Sequence, residues 1–249
     1  MRLAGVLGLI GGIFAVVAFG WPTVAVPARH VLARSTAVSR AHCPAYSIPA
    51  TVRGRVACLG PGGACRMRNQ RAYRRHGFVC RNGQLAYDWA RLTRRPLHIP
   101  TLPPGSSCPA TQPSGTLGER GSAATQAPAF GRGPAYPGLG LTTSGAMLTF
   151  VWSPADPPYR GWYGTKALWT IPRYTGAVLV RGRQLDGGSF LGFDRGPSWS
   201  NRVHPGLRLA GPEAGLHPAA TFVRGPGCFA YQVDVLRASY VIVFSAELP

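Results

Sequence analysis

At 249 residues and 45% hydrophobic content, the chain is long enough for one large or two small domains with a sizeable core. Its 33 glycines and 24 prolines exclude an all-helical fold, because both residues break helices and favour turns and short strands. The net charge of +19 rests almost wholly on arginine, Lys166 being the only lysine, and it is uneven. Residues 29–100 hold 14 arginines against the single acid Asp88, a balance of +13, whereas residues 101–249 carry only +5. A concentrated positive region attracts phosphate, carboxylate or sulfate polymers and membrane surfaces, and is silent about fold.

Residues 1–28 have the layout of a signal peptide. Arg2 precedes an uncharged apolar run from Leu3 to Phe19, then comes GWP, then the small-residue sequence TVAVPA with a cleavage point after Ala28. The alternative is an N-terminal membrane anchor, since Leu3 to Val26 can span a bilayer core of roughly 30 Å. Glycines at 5, 8, 11, 12 and 20 weaken such a helix. Either way the chain is expected to be exported, secreted or held at the cell surface. Export makes disulfides the default for Cys43, Cys58, Cys65, Cys80, Cys108 and Cys228. Six cysteines allow 15 pairings. Clustering of the first four points to two bridges within residues 29–95, leaving Cys108 and Cys228 as a tether to the last domain.

Residues 29–95 form a basic cysteine-rich module. One short strand is expected near Ile48 to Val56. The glycine-rich LGPGGAC is expected to turn, and Met67 to Arg75 to form about two helical turns stopped at His76-Gly77. Arg66, Arg68, Arg71, Arg74, Arg75 and Arg81 are the candidate contacts to an anionic surface, weighed against a merely solvated face. Cys58, Cys65, His76 and Cys80 also form a C-x6-C-x10-H-x3-C series, but structural zinc favours tighter spacing between its first pair, and export favours disulfides. The pattern C-L-x-x-G-x-x-C, then Y-R-R-x-G-F-x-C and G-x-L, is carried by Cys58, Leu59, Gly62, Cys65, Tyr73, Gly77, Phe78, Cys80, Gly83 and Leu85. It resembles a short module in exported proteins of GC-rich bacteria, a resemblance that implies membership and no mechanism.

Residues 96–139 are rich in Pro, Gly, Ser, Ala and Thr and lose apolar periodicity, so a flexible linker is expected. Residues 140–249 then show short apolar runs between turn residues, at 146–152, 167–171, 177–185, 189–193, 206–211, 220–225, 228–235 and 239–248. The fold class expected is mainly β, with an antiparallel sandwich at the C-terminus. Phe229, Tyr231 and Val233 alternate with Ala230, Gln232 and Asp234, which predicts a half-buried strand. The strand from Ser239 is apolar on both faces and predicts a central position, joined to its neighbour by a hairpin through Val235 to Ala238. Gly182, Arg183, Leu185, Asp186 and Gly187, followed by Gly227, Cys228, Gln232, Val233, Asp234, Ile242, Val243, Phe244 and Ala246, resemble the tail of exported immunoglobulin-like proteins. Val235 stands where that pattern has glycine, which leaves the turn type open.

No Gly-x-Ser-x-Gly elbow, HExxH helix or close carboxylate pair marks a catalyst, and no cofactor is implied. Asp186 and Asp234 read as turn caps. Trp152, Trp162, Trp169 and Trp199 read as core residues more than as sugar platforms. Arginines interleaved with Tyr73, His76, Phe78, Tyr87 and Trp89 have the chemistry of nucleic-acid binding, which export argues against. The expectation is a non-enzymatic, envelope-associated or binding protein whose basic module contacts an anionic surface polymer or membrane. The alternative is a small extracellular enzyme or inhibitor using loops 153–166 or 194–205.

Overall fold

A computed structural model of the chain describes residues 43–44, 46–117, 127–172, 174–196, 199–210 and 215–248. The expected signal segment and its cleavage point lie outside these residues. The basic module opens with a hairpin of β1 (Ile48–Val52) and β2 (Arg55–Leu59) where one strand was expected. Its turn is Arg53-Gly54, both at positive φ (50° and 75°), the geometry a tight two-residue hairpin turn needs. A 3-10 turn over Met67–Asn69 leads into α1 (Gln70–Arg75), which ends at His76 and at Gly77 with φ of 83°, as the sequence predicts. A second hairpin, β3 (Phe78–Arg81) and β4 (Gln84–Tyr87), precedes α2 (Trp89–Thr93), which is capped by the Asp88 carboxylate accepting the Arg91 N–H at 3.3 Å.

This module has a small core of its own, built from Ala50, Leu59, Tyr73, Phe78, Cys80 and Leu85. So few apolar residues stabilise little. The bridges Cys43–Cys58 and Cys65–Cys80 supply the rest. Both fall within the cluster where the sequence places two bridges.

The remaining strands are β5 (Pro113–Thr116), β6 (Pro128–Phe130), β7 (Tyr136–Pro137), β8 (Gly140–Thr142), β9 (Gly145–Thr149) and β10 (Tyr163–Thr170). They continue as β11 (Val178–Gln184), β12 (Gly192–Arg195), β13 (Leu207–Leu209), β14 (Leu216–Val223), β15 (Gly227–Val235) and β16 (Ala238–Glu247). One sheet has the order β12-β14-β10-β7 and the other β13-β11-β15-β16-β9-β8, so β16 is central as expected. The pairing is antiparallel except between β16 and β9, which run parallel, and this corrects the all-antiparallel expectation. Inward side chains of both sheets interlock. Trp169 lies 5.3 Å edge-on from Tyr231, Tyr231 stacks on Phe244 at 4.6 Å, and the Tyr231 and Thr221 hydroxyls pair at 2.8 Å. Each of these fully buried large side chains is worth about 1.5–3 kcal/mol. At Gly182 even one Cβ would sit 2.4 Å from the Ala230 carbonyl oxygen, so the β11–β15 contact requires glycine.

The linker expectation is overturned in the described part of 96–139. Ile99 packs with Leu185, Cys228 and Ala230 on the outer face of the larger sheet, flanked by Leu97, Leu102 and Cys108. The Leu102 N–H donates to the Leu185 carbonyl at 2.6 Å, the Thr111 N–H to Val243 at 2.9 Å, and Cys108–Cys228 bolts the strap down. A proline-rich strap loses little conformational entropy on docking, so a few apolar residues suffice. The strap also corrects the half-buried reading of β15, since Ala230, Gln232 and Asp234 are all 1% exposed or less.

Asp234 does not cap a turn. At 0% exposure it accepts from Arg181 Nη2 at 2.6 Å, from Gln232 Nε2 at 3.0 Å and from the Ser239 hydroxyl, and Arg95 lies 4.0 Å away. Arg95 in turn donates to the Leu236 and Ala238 carbonyls, both at 2.7 Å, and so clamps the β15–β16 turn. Leu236 and Arg237 lack the positive φ that such hairpins prefer, and the clamp compensates. Asp186 does hold a backbone group, the Cys228 N–H at 3.2 Å. Together with Leu92 packed on Ala177 and Leu179, these contacts make residues 39–249 one compact unit rather than two domains on a tether.

Candidate functional site

The helix period sorts the arginines. Tyr73 is buried on the inner side of α1, so Arg71 and Arg75, one turn apart, stand on the opposite side. Arg66, Arg68, Arg71, Arg74, Arg75 and Arg81 are all exposed. The ion pairs of Arg95 and Arg181 with Asp234 involve none of these six arginines, and no described acid offsets their charges. Asp88, the one acid of the module, is buried and occupied in capping α2. The peptide scaffold beneath is fixed, with Gln70 Oε1 accepting the Cys80 N–H at 2.8 Å and Cys65–Cys80 closing the segment. Burial, then the charges of Arg237 and Arg75, hold the His76 imidazole below its ordinary pKa. The face is therefore a rigid surface of unneutralised guanidiniums.

A second feature lies at the 194–205 loop, which the sequence offers as the alternative site. Where β12 and β13 end the two sheets, a cavity of about 650 Å³ is lined by Leu179, Arg181, Phe193, Asp194, Arg195, Ser200, His204, Leu207, Arg208 and Thr93 of α2. Its order comes from Asp194, which is 3% exposed. One carboxylate oxygen accepts the Arg195 N–H at 2.8 Å, the Ser200 N–H at 3.1 Å and the Ser200 hydroxyl at 2.8 Å. The other accepts the Tyr159 hydroxyl at 2.7 Å and the Asn201 N–H at 3.1 Å. Burial would raise the Asp194 pKa, but the bonds from Tyr159, Ser200 and Arg195 outweigh it and leave the group below its ordinary value. Tyr159 is correspondingly pushed up by burial and by its bond to Asp194.

Ser200 Oγ also lies 2.9 Å from His204 Nε2, a spacing that invites comparison with a nucleophile and its base. The proton count argues otherwise. Ionised Asp194 can only accept, and when the single hydroxyl proton of Ser200 goes to it at 2.8 Å, His204 Nε2 donates to Ser200 rather than drawing its proton. With the protons so placed, Asp194, Ser200 and His204 hold one another in a hydrogen-bonded chain. Its one local signal in the sequence is an aspartate followed by a Ser/Asn-rich loop.

Of the tryptophans weighed as sugar platforms, Trp169 is fully buried and Trp152 stacks on Tyr159 at 6.1 Å over Phe222. Trp162 lies under the Arg224 guanidinium at 3.9 Å, and Trp199 is half-buried. All six cysteines form disulfides, which belong to an oxidising environment and occupy the thiols of the zinc-like series. Among the described residues no cluster of three or more His, Cys, Asp or Glu side chains could hold a metal, and no helix is long and apolar enough to cross a membrane. The chain matches no protein-family model, no curated protein and no solved structure.

Proposed function

We propose that the protein is exported, cleaved after Ala28, and held at the cell surface by electrostatic contact between the arginine face of residues 66–81 and an anionic envelope polymer. One observation carries this reading: six exposed arginines without an acid partner sit on a disulfide-closed scaffold. Such a surface has already met the entropic cost of ordering its backbone, so contact gains from counterion release and charge with little further loss. The resemblance to exported proteins with an immunoglobulin-like tail agrees with a binding or adhesive role. The proton arrangement at Ser200 argues against the enzyme alternative at the 194–205 loop.

The test is retention of the mature protein on isolated cell wall as salt is raised. At about 1 kcal/mol per charge near an anionic surface, replacing Arg68, Arg71 and Arg75 by Gln should weaken retention roughly 100-fold at low salt. Wild-type retention should collapse at high salt, where the Debye length falls to about 3 Å. Salt-insensitive retention, or none, refutes the proposal.

A further inference from the structure

We infer that the anion-binding surface is composite: the arginine face of α1 continues across α2 onto two arginines of the sandwich, Arg208 and Arg237, and the whole takes a chain of phosphodiester-linked units. The inference deepens the surface-retention reading and rests on it for the setting in which such a polymer is met. Contacts between elements trace the surface. Arg91 of α2 donates through Nη1 to the Arg74 carbonyl of α1 at 2.9 Å. α2 also reaches the β13 edge, where the Arg208 guanidinium lies 5.4 Å from the centre of the Trp89 ring and Thr93 lines the same cavity as Arg208. Beyond the end of α1 the β15–β16 turn closes in, since a Cβ on Gly77 would meet Leu236 Cδ1 at 3.3 Å. Arg237 follows Leu236, and its charge, with that of Arg75, adds to burial in holding the neighbouring His76 imidazole below its ordinary pKa. Module and sandwich therefore present positive charge side by side.

Arg74, Arg75, Arg91, Arg94, Arg208 and Arg237 are all exposed. The acids of the adjoining segments, Asp88, Asp194 and Asp234, are buried and already accept from donors of the fold. Chemistry then selects the occupant. Guanidiniums carried by four elements reach a ligand from several directions. The two charged oxygens of a phosphodiester sit on a tetrahedral centre and can be bound from different sides, whereas a planar carboxylate is filled by one guanidinium fork. A single phosphate answers one or two of these arginines. A polymer presents a charge on every unit, and each further unit engages at the high effective concentration set by the units already bound.

The experiment is calorimetric titration of the mature, disulfide-intact chain at about 0.1 M salt, where the Debye length is about 10 Å. The probes are glycerol phosphate oligomers of about 3 and about 12 units, with a galacturonate oligomer of about 12 units as the carboxylate polymer. The longer phosphodiester should bind at least about tenfold tighter than either the shorter one or the galacturonate. Replacing Arg208 and Arg237 together by Gln, at exposed positions that should leave folding intact, should weaken it about tenfold or more. Replacing Lys166 and Arg132 by Gln removes the same charge from exposed positions elsewhere and should change it less than about twofold. The inference is overturned by wild-type affinity in the Arg208 and Arg237 variant, by equal loss in the two double variants, by affinity independent of length, or by galacturonate binding as tightly. Salt-sensitive retention of the wild-type protein on cell wall would still leave the surface-retention reading standing, so the two fail separately.

Discussion

Asp234→Asn is the sharpest probe of how the module, strap and sandwich are joined. The substitution keeps the shape of the side chain but removes a charge at 0% exposure, leaving Arg181, whose side chain is 16% exposed and 2.6 Å away, uncompensated. Removing one member of a buried pair costs about 3–5 kcal/mol. For a chain of this size each kcal/mol lowers the thermal midpoint by roughly 2–4 °C, so a drop of roughly 6–20 °C is expected. The new amide would also face the Gln232 amide, which now donates to Asp234 at 3.0 Å and to the Pro96 carbonyl at 2.9 Å. Calorimetric melting and urea unfolding of the oxidised protein measure the loss. Adding Arg181→Met should recover part of it, giving a coupling of about 1–3 kcal/mol in the double-mutant cycle. A loss below about 1 kcal/mol, or simple additivity, refutes the view that this carboxylate is held by charge compensation.

Other expectations follow from the same contacts. Replacing Cys108 and Cys228 by Ala opens a loop of sequence separation 120 and should cost about 5 kcal/mol, against about 3 kcal/mol for Cys65 and Cys80 at separation 15, as read by urea unfolding. His76 has a folded-state pKa below 6.5, so the unfolded chain binds more protons; stability is complete above pH 6.5 and falls as pH drops through the window below it. His76→Gln should flatten that part of a stability–pH profile, and an unchanged slope would count against it. Asp194→Ala strands the Ser200 and Asn201 N–H groups and should cost about 2–4 kcal/mol, with faster proteolysis in the 196–204 loop. Arg95→Lys cannot bind the Leu236 and Ala238 carbonyls as a fork, and should speed amide exchange at the β15–β16 turn while leaving β10 protected.

Local physics was legible in the chain itself. The alternation of Phe229, Tyr231 and Val233, the two-sided run from Tyr240 to Phe244, and the glycine after His76 place β15, β16 and the end of α1 near their observed bounds. Cysteine clustering indicated two bridges in the module and a long-range tether. These signals depend on neighbours a few residues apart, and there periodicity and turn chemistry act. Periodicity names the residues that share a face, but not what covers that face. Only the folded chain shows that Leu97, Ile99 and Leu102 roof Cys228 and Ala230 of β15, that Asp234 is fully buried against Arg181, and that β9 runs parallel to β16. The 194–205 loop stood out in the sequence as a possible site, but the cavity beside it did not: Arg195 on β12 meets Arg181 and Arg208, on the paired strands β11 and β13 of the other sheet, only when the two sheets stack, and no spacing along the chain records that meeting.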